Sequence, residues 1–388
     1  MQINTHVALA SPPKREDFKV LAQQTGPCLS LISSGVPPEQ RAQRTRALLR
    51  EAEERLESLS LYSREERSEF LQPLRDRLTS ELDTSVPGSS VCYRTLAGLW
   101  SFQVPYALPE TIRLGNYCDV LPLIPALSIS TEFYILALSQ KHTRVLRCTL
   151  TSSEEVELPG SVPTNLFEFN QQDQPDHRLE NRSDAGQKGK STHPGMIVSF
   201  GTGSDADQKD EYLHNYFRAI DRELDSHLRP ILPLVLAGVD YELALYRTIS
   251  QYPELVENGA HGAPDGLKGG ELHERALECL RAHDAARPDH ALAQYEKAGA
   301  ARMQNPLNDI VQSAFDGRIL HLFIADGFRQ PGRFDQETRT VSGSNSASGD
   351  DDLVNVAALQ TLAHGGDVFV LPEERVPGQR SITAALRF

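Results

Sequence analysis

Seven consecutive residues near the middle of the chain, Asp184-Ala185-Gly186-Gln187-Lys188-Gly189-Lys190, combine the residue types needed to probe a folded RNA. Glycine lets a backbone approach another molecule closely and adopt φ > 0 at little cost. Beside Gly186, Gln187 can offer its backbone N–H or its side-chain amide to a reacting group. Arg178, Arg182, Lys188 and Lys190 supply cations for phosphates, the contacts that position a protein on nucleic acid. Asp184 adds a negative charge that those cations offset. The competing reading is a polar connector with an incidental Gly-Gln, and the dipeptide alone leaves both open. A second Gly-Gln, Gly378-Gln379, falls between two strand-like runs and reads as a tight turn.

The segment carrying these residues is a mostly polar loop over 159–209, set between strongly apolar elements. So long a loop inside a compact domain is as a rule either functional or unstructured. Before it, Phe133-Tyr134-Ile135-Leu136-Ala137-Leu138 is an apolar run typical of a buried strand. Residues 143–149 read as its hairpin partner and 155–158 as a third strand. After the loop, 210–228 reads as a helix with Tyr212, Phe217, Ile220 and Leu224 on its stripe. A buried strand at 231–237 and a helix at 241–252 follow. Strands alternating with helices indicate an α/β domain.

The flanking parts have their own order. A strand at 28–32 leads into a helix at 39–59 with Leu48, Leu49, Ala52, Leu56 and Leu59 at helical spacing. Arg41, Arg44, Arg46, Arg50 and Arg55 on this helix could face RNA, but Glu51, Glu53, Glu54 and Glu57 interleave with them. A solvated helix with i,i+4 ion pairs is the expectation. Ser63-Arg64-Glu65-Glu66 is a capping box opening a second helix, striped by Phe70, Leu71, Leu74, Leu78 and Leu82, with Pro73 kinking it or lying in its first turns. Short strands at 90–93, 99–102 and 111–114 complete an α+β region. Beyond a Gly-rich boundary at 257–270 come helices at 271–285, 291–298 and 306–315, then a strand at 319–324. Asp350, Asp351 and Asp352 open a helix that runs to His364, where the dipole favours them, and Gly365-Gly366 stop it. Strands at 368–371 and 382–388 finish the chain.

This order, with Leu353-Val354-Asn355-Val356-Ala357-Ala358-Leu359-Gln360-Thr361-Leu362, Gly365-Gly366-Asp367-Val368-Phe369-Val370-Leu371-Pro372, the tail Ile382-Thr383-Ala384-Ala385-Leu386-Arg387-Phe388 and Leu236-Ala237-Gly238-Val239-Asp240-Tyr241, resembles the bacterial relatives of archaeo-eukaryotic release factor one and Pelota, and among them family three. The resemblance implies α/β and α+β architecture in three domains. These are an N-terminal α+β domain over 1–128, a ribonuclease-H-like middle α/β domain over 129–266, and an L7Ae-like α/β C-terminal domain over 267–388. It implies a ribosome-associated translation factor that binds the A site of stalled or idle ribosomes, with ribosomal RNA, peptidyl-tRNA and a translational GTPase as partners. In active release factors the middle-domain loop carries Gly-Gly-Gln, which promotes hydrolysis of the peptidyl-tRNA ester. The matching place here reads Ala185-Gly186-Gln187, and no Gly-Gly-Gln occurs in the chain. Ester hydrolysis needs a positioned water and donors aimed at the developing oxyanion. Ala185 cannot take every conformation open to glycine, and left-handed backbone costs it about 1 kcal/mol or more. The expectation is therefore occupancy, as a rescue or hibernation factor. Peptidyl-tRNA hydrolysis through Gln187 and a non-ribosomal interaction role are the alternatives.

Composition excludes several other classes. The 53 acidic and 39 basic residues give a net charge of -14, so any nucleic-acid contact has to be local. Five scattered cysteines with no Cys-x-x-Cys favour reduced thiols and a cytoplasmic setting. The apolar stretches are too short to span a bilayer and no signal-peptide pattern is present. His273, His283 and His290 lack a His-Glu-x-x-His spacing and read as surface histidines. Gly201-Thr202-Gly203 lacks the rest of a dinucleotide or P-loop fingerprint, so no cofactor is expected. A ribonuclease-H-like nuclease would need strand carboxylates for Mg²⁺. Neither 133–138 nor 231–237 carries one.

Overall fold

The computed structural model describes residues 7–11, 13–24, 26–34, 38–58, 63–80, 88–104, 106–172, 204–229, 231–342 and 351–388. The chain divides into two compact units, residues 1–129 with 287–388, and residues 130–286.

The first unit begins with β1 (Val7–Ser11), α1 (Arg15–Ala22), β2 (Cys28–Ser34), α2 (Pro38–Ser58), α3 (Arg64–Ser80), β3 (Ser89–Arg94), β4 (Leu99–Val104), β5 (Thr111–Gly115) and the short α4 (Ile124–Leu127). The strands form one sheet in the order β1-β4-β3-β2-β5, with only β1 parallel to its neighbour. Alternation along β2 sends Leu29 and Leu31 to one face, where Leu48, Ala52 and Leu56 of α2 and Phe70, Leu71, Leu74 and Leu78 of α3 cover them. The capping box forms: the Glu66 N–H donates to Ser63 Oγ (3.2 Å) and the Ser63 N–H to Glu66 Oε2 (2.7 Å). Pro73 lies well inside α3 rather than in its first turns. On the acidic-basic face of α2, Arg50 pairs with Glu54 and Arg55 with Glu51, as the spacing predicts.

The second unit contains β6 (Glu132–Ala137), β7 (Arg144–Thr149), β8 (Ser153–Val156), α5 (Leu166–Gln172), α6 (Ser204–His227), β9 (Leu234–Gly238), α7 (Asp240–Ile249), β10 (Ala260–His261) and the start of α8 (Gly269–Lys297). Three antiparallel strands are followed by β9 parallel to β6 and β10 parallel to β9, in the order β10-β9-β6-β7-β8. That is the ribonuclease-H-like topology. Tyr134 and Leu136 of β6 face the core made with Tyr216, Phe217, Ile220 and Leu224 of α6 and Leu243 and Tyr246 of α7. Phe133, Ile135 and Ala137 face the opposite core, with Leu272, Ala276, Leu277 and Leu280 of α8. Two buried faces explain why the strand sequence is continuously apolar.

The rest of the first unit comprises the end of α8, β11 (Met303–Gln304), α9 (Leu307–Phe315), β12 (Ile319–Ala325), β13 (Pro331–Asp335), β14 (Thr340–Ser342), β15 (Asp351–Asp352), α10 (Leu353–Ala363), β16 (Asp367–Leu371) and β17 (Ile382–Leu386). The main sheet runs β11-β17-β12-β16 and a small one β14-β13-β15. Helices on both faces of the main sheet make an α/β sandwich. Where the sequence suggests two helices at 271–285 and 291–298, one helix continues through Pro288. Its last turns bury Ala291 and Tyr295 on the main sheet. Asp351 and Asp352 are not helical. They form β15, and Asp352 caps α10 by accepting from the Val354 N–H at 3.0 Å.

Every residue of α10 from Leu353 to Leu362 is buried. A helix buried on all sides belongs between layers, and its partners include Phe18, Leu21 and Tyr93 of the N-terminal layer as well as Leu322 and Ile324 of β12. Asn355 satisfies its amide by accepting from the Val120 N–H (2.8 Å) and donating to the Cys118 carbonyl (2.8 Å). Cys28 and Cys118 are paired as a disulfide with Cα atoms 5.5 Å apart, which corrects the expectation that all five thiols are reduced. Cys92 and Cys148 are buried free thiols, and burial pushes Cys148 up to about 12.

Candidate functional site

Arg178, Arg182, Gly186, Gln187, Lys188 and Lys190 all lie outside the described residues. The structure gives the frame on either side of them. Within the stretch expected as loop, 166–172 is helical as α5 and 204–209 already belongs to α6, leaving 173–203 between them. Helix α5 forms because Asn165 caps it, its Oδ1 accepting from the N–H groups of Phe167 (2.8 Å) and Glu168 (3.3 Å). Leu166 and Phe169 then turn into the α6 core. This short apolar pair, framed by Asn and Gln, was the signal a reading of polar composition passes over.

The frame is fastened to the β6–β7 hairpin. The Thr143 N–H donates to the Thr164 carbonyl (2.7 Å), and the Leu166 N–H to the Gln140 carbonyl (3.0 Å). From α6, the Tyr216 hydroxyl donates to Thr143 Oγ1 (2.9 Å), which itself donates to the Ser139 carbonyl (2.9 Å). The Phe169 ring tilts over Tyr216 with centroids 5.7 Å apart. Burial and the loss of water push the Tyr216 hydroxyl up to about 12, so it remains a donor at neutral pH. Both described flanks of the central segment are thus tied to one edge, where β6 and the parallel strands β9 and β10 end. In open α/β sheets the carboxyl ends of strands are the usual place for function.

That edge carries further polar groups. Glu242, at the start of α7, is buried and accepts from Gln140 Nε2 at 3.0 Å, and burial raises its carboxyl. Asp240 and His261 pair at 2.6 Å but are largely exposed. Tyr241 bonds Asp210, which raises its hydroxyl. None of these converge on a metal: among the described residues no group of three or more His, Cys, Asp or Glu could hold one. His273 departs from the surface position expected of it. It is buried, stacks on Phe133 at 5.9 Å and bonds the Thr149 carbonyl at 2.7 Å, a packing role. Gly378-Gln379 is a turn, both residues at positive φ, closed by the Gln379 N–H on the Val376 carbonyl at 3.1 Å.

The stretch from β6 through α9, with the hairpin, α5, α6 and nearly all of the second unit, is also where the chain matches a known family. Residues 132–318 match bacterial archaeo-eukaryotic release factor family 3. The resemblance read from the sequence therefore holds over the unit that carries the central segment. Among curated proteins none matches. Solved structures similar to the chain include an archaeal protein at 14% identity and TM-score 0.31, with 97% of this chain and 98% of that chain covered. The archaeal translation termination factor aRF1 is similar at 15% identity and TM-score 0.24, covering 97% and 99%. Dom34 of S. cerevisiae, a translation termination-like factor, is similar at 14% identity and TM-score 0.31, covering 75% and 74%. In the family-3 region, no described helix is long and apolar enough to cross a membrane, and the same holds for the rest of the described chain.

Proposed function

We propose that this protein is a ribosome-associated translation factor that occupies the A site of stalled or idle ribosomes, in rescue or hibernation, without a catalytic requirement. The observation that carries the reading is the match of residues 132–318 to a release-factor family, over the unit that holds the central segment. The geometry around that segment supports it. Both of its described flanks are stitched to the carboxyl-terminal edge of the sheet, so a reach into RNA would start from a rigid base. Gly186 and Gln187 would enter the peptidyl transferase centre, and Arg178, Arg182, Lys188 and Lys190 would meet phosphates. Ala185 stands where active release factors carry the first glycine of Gly-Gly-Gln, which favours occupancy over ester hydrolysis.

Sedimentation with 70S particles at moderate salt tests the proposal. The protein pellets with the particles if the reading is right. A chain that stays in the supernatant, at every salt concentration tried, contradicts it.

A further inference from the structure

We infer that a groove on the first unit, between the end of α8 and the paired strands β12 and β17, binds phosphates of an RNA backbone independently of the central segment. The groove has a volume of about 260 Å³ and is lined by Lys297, Arg302 and Arg387, with Gln294, Leu320 and His321 among the remaining residues. Acidic residues outnumber basic ones 53 to 39 in the chain, yet no carboxylate lines this groove. A cationic concavity on a protein of net charge -14 is a local departure that needs a ligand or a salt atmosphere to balance it.

Each cation is held differently. Arg387 is preorganised: its Nε–H donates to the Ile319 carbonyl (3.2 Å) and its Nη2 to the His364 carbonyl (2.8 Å). Those bonds use two of the five N–H donors of a guanidinium and leave the others for a ligand. Lys297 and Arg302 are exposed, and neither pairs with a carboxylate among the described residues. His321 is buried in the floor and bonds Gln294 Oε1 at 2.9 Å. The Asp367 carboxylate behind His321 is already engaged by Arg15 and Arg287.

The ligand class follows from what the groove holds and lacks. Its volume falls below the roughly 300–1,000 Å³ of small-molecule sites, so it suits a phosphate with its sugar rather than a whole nucleotide. It contains no Phe, Tyr or Trp for a base to stack on, which single-stranded base recognition uses. Backbone phosphate contact without sequence preference is the match. This site deepens the ribosomal reading, and rests on it for the ribosome as the source of the RNA.

The test uses the full chain and fluorescein-labelled oligouridine and oligoadenosine, with anisotropy followed across a salt series. Both RNAs should bind equally. The double variant Lys297→Gln/Arg302→Gln, at exposed positions that do not threaten folding, should weaken both several-fold. It should also lower the log–log salt slope by about 1.4, the expectation for two lost phosphate contacts on a single strand. Binding and slope unchanged in the double variant overturn the groove, as does inorganic phosphate displacing the RNA at equal phosphate concentration. Sedimentation with 70S particles, run in parallel, separates the two readings. Variant-sensitive RNA binding by a protein that does not pellet keeps the groove and removes the ribosome, whereas pelleting with RNA binding insensitive to the variant does the reverse.

Discussion

Tyr216 on α6 donates its hydroxyl to Thr143 Oγ1 in the β6–β7 hairpin at 2.9 Å, in the buried interior of the second unit. Thr143 passes the bond on to the Ser139 carbonyl, and its own N–H holds the Thr164 carbonyl just ahead of α5. One threonine therefore joins the helix that follows the central segment to the chain that precedes it. Chains of bonds of this kind fix a unique arrangement when every member is satisfied.

Tyr216→Phe keeps the ring against Phe169 and Phe217 and removes only the hydroxyl. We expect a loss of about 0.5–1.5 kcal/mol, read as a lower urea midpoint at unchanged slope. Tyr216→Ala, which also empties the ring site, should cost roughly 3–5 kcal/mol. A Tyr216→Phe variant as stable as the wild type would mean the hydroxyl network is not what orders the frame.

Acid should destabilise the first unit through Asp367. Burial alone would raise this carboxyl, but His321 Nδ1 at 3.5 Å and the paired guanidiniums of Arg15 and Arg287 outweigh it and hold the group at about 2 against an ordinary 3.8. A carboxyl depressed on folding contributes stability that is present above pH 3.8 and lost as pH falls through about 2. The depression is worth about 2 kcal/mol. In Asp367→Asn this part of the acid dependence should vanish, as urea titrations between these pH values would show.

The Cys28–Cys118 pair closes a loop of 90 residues. Alkylation of the denatured protein should label three of its five cysteines before reduction and all five after. Reduction should cost about 3–5 kcal/mol of unfolding free energy. Cys28→Ser should reproduce that loss and make it insensitive to reductant.

On stalled ribosomal complexes the wild-type chain should release no peptide above the uncatalysed background. Glycine carries none of the roughly 1–2 kcal/mol that left-handed backbone costs alanine, so release should rise roughly five- to thirtyfold in Ala185→Gly. Adding Gln187→Ala should abolish the gain. Release by the wild type that Gln187→Ala removes would make the protein a hydrolase.

Periodicity made the middle unit legible. The run 133–138 has two buried faces, and the stripe Phe217, Ile220, Leu224 lies in the core as its spacing requires. Long-range pairings were not visible in the same way. Nothing local distinguishes Cys28 and Cys118 from the other thiols, since their meeting depends on β2 and the chain after β5 being brought together by the sheet. Helix α10 read correctly as a helix, but its burial on all sides depends on two sheets contributed by distant parts of the chain. His273 read as a surface residue because its partner, the Thr149 carbonyl, lies 124 positions away. The cationic groove is invisible for a similar reason: Arg387 reaches Lys297 and Arg302 from 85 or more positions away along the chain.

A photo-crosslinking residue placed at position 188, in protein bound to 70S particles, reads the location of the central segment most directly. Crosslinks confined to the large-subunit RNA of the peptidyl transferase centre are what a tRNA-like seat for this chain requires. Crosslinks that return to the protein itself, or to RNA remote from that centre, contradict it.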